Sequence, residues 1–297
     1  MTGFVAGVDG GATASRVVFL DPSGREVGRG EGPPAAVDPR RPEEAAEAVQ
    51  DLVRRAAERA GIAPPLAGVW AGLAGAGREP ARAAVEERLA ASALAARVRV
   101  GTDVDAAFHQ AVPQGPGILL VAGTGSMARG RAEDGREART GGWGALLGDE
   151  GSGYAVGLDA LRSLVRSRDG RDPGTQLTAA ILRALSLEGE ESLVEWCASA
   201  TKGEVAALVS PVVETARRGD STAQDILRRA VGALEEHVQA LLEVLGPWGR
   251  PPEVCLAGGL VHPGGPLRDP LAAALGHLPI RLREEAVDGA LGAARLA

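Results

Sequence analysis

The sequence predicts an α/β fold organised as two domains. Its 297 residues are more than one hydrophobic core ordinarily organises. Short apolar runs alternate with longer amphipathic stretches, the pattern of strands separated by helices. A strand–glycine turn–strand unit occurs at 4–20 and again at 117–131, so each half of the chain opens alike, a repeat of architecture rather than of close sequence.

Taken in order, residues 4–8, 15–20 and 25–30 read as strands, with DPSG (21–24) as the turn between the second and third. GPPAAVDPRRP (32–42) is a loop. Residues 43–61 place Val49, Leu52, Val53 and Ala56 on one helical face and end at Gly61. LAGVWAGLAG (66–75) is a buried strand running into glycines, 79–92 a helix, 98–104 a strand that ends near Asp103, and 105–112 a short helix, which gives βββαβαβα. PQGPG (113–117) is a linker. Strands and tight turns follow over 117–131 and 133–139, and 153–245 is largely helical, most plainly at 233–246. A buried strand at 251–261 ends in Gly-Gly; a helix (267–276), a short strand (279–283) and a helix (286–297) close the chain. The expected domains are 1–112, with 286–297 packing on it, and 113–285.

Composition excludes several classes. A net charge of -7 without a basic run argues against nucleic acid or an anionic membrane as the main partner. No run approaches about 18 apolar residues, so no transmembrane helix is expected. Strand-like sequence begins at once after Gly3, which leaves no room for a signal peptide. Cys197 and Cys255 stand alone and far apart, which fits a reducing cytoplasm rather than a disulfide framework.

Three glycine clusters carry the chemistry. In DGGATASR (9–16), Gly10 and Gly11 are expected to present backbone N–H groups, with Thr13 and Ser15 adding hydroxyl donors, a concave surface suited to phosphate oxygens. Asp9 is placed to hold Mg²⁺ through water. A plain glycine-tipped hairpin is the alternative. AGTGSMARG (122–130) repeats the device with Gly123, Thr124, Gly125 and Ser126. No helix follows at once, which argues against a dinucleotide fingerprint, and neither turn carries the Lys of a P-loop. In AGGLVHPGG (257–265), Gly258 and Gly259 follow an apolar strand, where a flat adenine ring can lie against bare backbone; a simple strand-to-helix loop is the alternative.

Together with GGWGALLGDEGSG (141–153), these motifs resemble the N-acetylglucosamine kinase branch of the actin, hexokinase and Hsp70 ATPase superfamily, the branch that also holds the BadF/BadG/BcrA/BcrD ATPases. The resemblance covers essentially the whole chain. It implies two ribonuclease H-like (actin-like ATPase) domains with ATP and sugar in the cleft between them, Mg²⁺ as cofactor, a cytoplasmic location and a homodimer. It implies Asp103 as the base that takes the proton of the attacking sugar hydroxyl. Asp105 is the rival, and reads more naturally as a helix N-cap. Gly141, Gly142, Trp143, Gly144 and Asp149 match the sugar-binding loop, Thr124 an ATP contact and Ser126 a substrate contact. Glu150 either contacts sugar or caps the next helix, and Trp143 as core filler is the competing reading. Ala36 and Met127 stand where the branch carries asparagines, so the acceptor is expected to be a hexose or amino sugar without the exact sugar being fixed. Two other functions remain in play. One is an iron–sulfur ATPase activator of a dehydratase or reductase, for which the cysteines are poorly placed; the other is a non-catalytic ATP- or sugar-binding module.

Overall fold

The computed structural model describes residues 3–297; residues 1 and 2 of the expected first domain lie outside the described residues. The elements are β1 (Val5–Gly10), β2 (Ser15–Leu20), β3 (Glu26–Gly32), α1 (Pro42–Arg59), β4 (Gly68–Leu73), α2 (Glu79–Ala91), β5 (Val98–Gly101) and α3 (Asp103–Ala111). Then come β6 (Gly117–Ala122), β7 (Ser126–Arg131), β8 (Glu137–Gly141), α4 (Gly153–Arg168), α5 (Leu177–Leu185), α6 (Ser192–Ser199), α7 (Lys202–Ala207), α8 (Val209–Arg217) and α9 (Ser221–Leu245). The chain ends with β9 (Glu253–Ala257), α10 (Arg268–Leu275), β10 (Arg281–Leu282) and α11 (Gly289–Leu296). Two compact units result. One takes in Met1–Gln114 and Val287–Ala297, and the other Gly115–Ala286.

Each unit is built on one five-stranded sheet, ordered β3-β2-β1-β4-β5 in the first and β10-β9-β6-β7-β8 in the second. The directions correspond as well. β1–β2–β3 and β6–β7–β8 are antiparallel meanders, while β4, β5 and β9, β10 join in parallel. The repeat seen at 4–20 and 117–131 is thus the opening of a whole repeated sheet. This is the ribonuclease H-like order that the resemblance implies, once per unit.

Alternation along the strands explains why both sheet faces are covered. In β2, Val17 and Phe19 join the core beneath α1 and α2, while Val18 and Leu20 face α11 with Ala290 and Ala294. In the second unit, Ile118, Leu120 and Ala122 of β6 meet a stripe on α9 that repeats at helical spacing: Ile226, Ala230, Leu234, Val238, Leu241 and Leu245. The helix seen in the sequence at 233–246 is the C-terminal half of α9, whose N-cap is Asp220.

Around Asp103 the structure departs from the sequence reading. The strand expected over 98–104 stops at Gly101, and Asp103 is the first residue of α3 rather than a strand end. The N-cap is Thr102, not Asp105. Thr102 Oγ1 accepts from the Asp105 amide at 3.1 Å, and the Asp105 carboxylate accepts from the Thr102 amide at 3.0 Å, a reciprocal capping box that holds the helix start.

α4 and α7 approach backbone to backbone. A Cβ on Gly157 of α4 would stand 2.0 Å from the Val205 carbonyl oxygen, so only glycine admits α7 here. Alanine is the better helix former by about 1 kcal/mol, yet Gly157→Ala is expected to destabilise the protein by about 1–3 kcal/mol through overpacking. Urea denaturation measures this. An unchanged or raised midpoint contradicts the close approach.

Candidate functional site

In the first unit, Gly11–Ala14 link β1 to β2. The carbonyls of Gly10 and Gly11 accept from the Ala74 and Ala35 amides at 2.8 and 3.2 Å, and the Gly11 amide closes the turn on Ala14 O at 3.0 Å. The expectation that Gly10 and Gly11 offer their amides is therefore corrected. Gly10 is paired with Ser15 in the ladder, and Gly11 is bonded within the turn. The amides of Ala12 and Thr13 have no protein acceptor among the described residues, and Thr13 is exposed. Gly10 is needed for packing instead: a Cβ there would lie 2.5 Å from Leu73 Cδ2. Ser15 is a second correction. It is fully buried and its hydroxyl donates to Pro33 O at 2.6 Å, so it ties down the loop that carries Ala36.

Asp9, next to last in β1, lies against Gly289, where a Cβ would stand 2.7 Å from its Oδ2. Burial, then the charge of Asp103, pushes the Asp9 carboxyl up to about 6; Arg16 acts in the opposite sense and Asp288 adds to the rise. Half-buried Asp103 accepts at Oδ1 from the Val104 amide at 3.0 Å. The sequence reading had no role for Asp288. It caps α11 by accepting from the Leu291 amide, and it adds a third negative charge to this corner. The charges of Asp103 and Asp288 both raise the cost of ionising Asp9, and Asp288 is itself paired with Arg29 at 3.1 Å. Among the described residues no group of three or more His, Cys, Asp or Glu side chains is placed to hold a metal ion directly. A carboxylate such as Asp9 fits Mg²⁺ held through water.

In the second unit, Gly123–Gly125 link β6 to β7. The carbonyls of Gly123 and Thr124 accept from the Gly153 and Tyr154 amides at the start of α4, at 2.8 and 3.3 Å, and Gly123 N closes on Gly125 O at 2.9 Å. The amides of Thr124 and Gly125 have no protein acceptor among the described residues. Gly258 and Gly259 lie alongside: a Cβ on Gly123 would stand 3.8 Å from Gly259 N, and one on Gly258 would strike Ala122 O at 2.4 Å. Ser126 is a third correction. Only 4% exposed, its hydroxyl donates to Glu150 O at 2.6 Å and its amide to Asp149 Oδ1 at 3.2 Å. It positions the acidic pair and has no donor left for substrate. Glu150 is exposed and caps nothing; Ser152 caps α4 by accepting from the Ala155 amide at 3.2 Å.

The loop after β8 holds Gly141, Gly142 and Gly144 at φ of 70, 71 and 86°, a backbone path closed to most side chains. Trp143 is 65% exposed and so is not core filler, and the Arg139 guanidinium sits 4.6 Å above its ring. Met127 packs beneath Gly142, where a Cβ would lie 3.3 Å from its sulfur. His237 lies under Gly141. Desolvation holds its imidazole below the ordinary histidine value.

Asp149 is 3% exposed at φ 61°. Lys202 Nζ lies 2.6 Å from its Oδ2, a charge contact without hydrogen-bond alignment. Lys202 is the residue the sequence reading missed; its signal was TKGE (201–204), a capping box that opens α7.

A depression of about 780 Å³ in the first unit, lined by Trp70, Glu86 and Arg99 among others, contains none of these groups. Among the described residues no helix is long and apolar enough to cross a membrane.

The sequence profile of the BadF/BadG/BcrA/BcrD ATPase family matches residues 6–297. An N-acetylmuramic acid/N-acetylglucosamine kinase of Clostridium acetobutylicum is 31% identical over 87% of this chain and 86% of its own. An N-acetyl-D-glucosamine kinase of Dictyostelium discoideum is 28% identical over 81% and 79%. The crystal structure of a candidate N-acetylglucosamine kinase from Chromobacterium violaceum superposes with a TM-score of 0.85 at 28% identity, covering 99% of both chains.

The folded-state pKa of Asp9 lies above its unfolded value. Its contribution to stability is therefore fully present below about pH 4 and lost as pH rises through about 6. Asp9→Asn is expected to raise stability near pH 8 by up to about 3 kcal/mol without magnesium, with the gain gone below about pH 4. Denaturation at the two pH values checks this, and a gain of equal size at both contradicts it.

Proposed function

The chain belongs to the BadF/BadG/BcrA/BcrD ATPase family, and from that premise we propose an ATP-dependent sugar kinase. It transfers the γ-phosphate to a hydroxyl of a hexose or amino sugar, with N-acetylglucosamine or a related sugar as acceptor. The observation that carries this reading is the second unit's turn, where the acceptor-less amides of Thr124 and Gly125 stand beside the buried carboxylate of Asp149. Phosphate-binding and hydroxyl-binding groups are there within one side chain of each other. The kinase names of the relatives agree with it.

In this mechanism the open amides of each glycine turn are anion sites, Ala12 and Thr13 in the first unit and Thr124 and Gly125 in the second. Gly259, with open space where a Cβ would stand, leaves backbone bare for the adenine ring, while Gly258 is claimed by its close packing on Ala122. Asp9 would hold Mg²⁺ through water, and the ion would supply positive charge beside the phosphates. Asp149 accepts from sugar hydroxyls, and Gly141–Gly144 with Trp143 line the sugar. Asp103 takes the proton of the attacking hydroxyl as its oxygen bonds to the γ-phosphorus, and ADP departs with the bridging oxygen. Ala36 and Met127 remove two amides from the sugar's surroundings, which favours an acceptor that makes fewer hydrogen bonds there. A cytoplasmic homodimer is part of the proposal on the family resemblance; light scattering on the purified protein decides the oligomer.

The iron–sulfur activator reading needs thiolate ligands. Burial pushes the Cys255 thiol up to about 11, and Cys197 lies apart on α6.

Purified protein with Mg·ATP and a panel of hexoses and amino sugars is expected to release ADP faster with at least one of them. Asp103→Ala is expected to lower kcat by a factor of about 10² to 10⁴ with ATP binding retained. Sugar-independent ADP release across the panel overturns the kinase, and a wild-type rate in the variant overturns the base.

A further inference from the structure

We propose that Lys202 is a catalytic residue of this site: its ammonium binds the transferred phosphoryl group at the β6–β7 turn while staying paired with Asp149, a role arginine cannot take. The proposal rests on the sugar-kinase reading and adds to it the cation that neither glycine turn carries in its own sequence.

Position comes first. Gly157 lets the α7 backbone press against α4, and the Thr201–Glu204 capping box fixes the start of α7, so Lys202 is delivered to the turn by packed elements. Its Nζ lies 2.6 Å from Asp149 Oδ2 and 3.0 Å from where a Cβ on Gly125 would stand. The ammonium thus fills the step from the turn's open amides to the carboxylate assigned to the sugar. In phosphoryl transfer the migrating group occupies that interval, between nucleotide and acceptor hydroxyl.

Availability comes second. Asp149 is buried, whereas the Lys202 side chain is 41% exposed, so a ligand reaches the cation without unfolding anything. An ammonium has three donors. The contact with Asp149 Oδ2 lacks hydrogen-bond alignment, and the other carboxylate oxygen already accepts from the Ser126 amide. Donors remain for phosphate oxygens.

Residue choice comes third. Lys202 is the one lysine among 32 basic residues. Wherever else this chain makes an ion pair with a side chain of fixed charge it uses arginine, as in Arg29–Glu26, Arg166–Asp172 and Arg229–Asp159. The gap at Gly125 is narrow, since Asp149 Oδ1 is 2.7 Å from the same Cβ position, and it admits a compact ammonium better than a planar fork. In the transfer step the sugar oxygen–phosphorus bond forms, the bond from phosphorus to the β,γ-bridging oxygen breaks, and the hydroxyl proton goes to Asp103. Lys202 keeps its proton and supplies charge alone.

The test compares wild type with Lys202→Met, Lys202→Gln and Lys202→Arg, using calorimetry with Mg·ATP and Mg·ADP and steady-state kinetics on the accepted sugar. The neutral variants are expected to lower kcat by a factor of about 10² to 10³ and to lose tenfold or more of the preference for ATP over ADP. The KM for sugar is expected to stay within about threefold, and Lys202→Arg is expected to remain slow. Two neutral variants guard against one failing to fold, which circular dichroism detects. A raised sugar KM with kcat and the ATP preference intact makes Lys202 a prop for Asp149 and overturns the proposal, as does a wild-type kcat in Lys202→Arg. If wild type shows no sugar-dependent turnover, the kinase reading fails by itself. The calorimetry still decides Lys202, because an ATP-over-ADP preference unchanged in the neutral variants, or no nucleotide binding by wild type, overturns it.

Discussion

Both glycine turns obey one constraint: their carbonyls are bonded into the protein, and their tip amides are not. Gly10 and Gly11 give their oxygens to Ala74 and Ala35, and Gly123 and Thr124 give theirs to the first residues of α4. A backbone with its acceptors taken and its donors unanswered is a site for an anion, since an exposed N–H without an acceptor is the group that gains most from one. The rest of each unit serves that arrangement. β4 and the loop at 33–38 hold the first turn from behind, and the start of α4 with the Gly258–Gly259 strand end holds the second.

The two units complement that shared device with opposite charge. Around the first turn stand Asp9, Asp103 and Asp288, and burial together with the charge of Asp103 raises the Asp9 pKa. Around the second stand Lys202 and the buried Asp149, with Ser126 bonded to both residues of the acidic pair and His237 seated under the glycine loop.

The fold was legible because it depends on periodicity and repetition. Alternating apolar runs marked the strands, and the twofold strand–turn–strand opening marked the repeated sheet. The glycine clusters were legible as sites, but the atoms that act within them were not. Gly10 and Gly11 read as amide donors because glycine permits positive φ, yet packing against Leu73 and the turn's own closure claim them. Ser15 and Ser126 read as ligand hydroxyls, yet each holds a neighbouring loop by its carbonyl, a partner 18 or 24 residues away that no local pattern reveals. Lys202 was hidden for the same reason. It lies 77 residues after Gly125, and only the glycine-lined crossing of α4 with α7 brings them together.

The most direct measurement of the central claim is a crystal structure with magnesium and a non-hydrolysable ATP analogue. The account predicts phosphate oxygens within hydrogen-bond distance of the amides of Thr124 and Gly125. A polyphosphate bound elsewhere, with those two amides facing water, would contradict it.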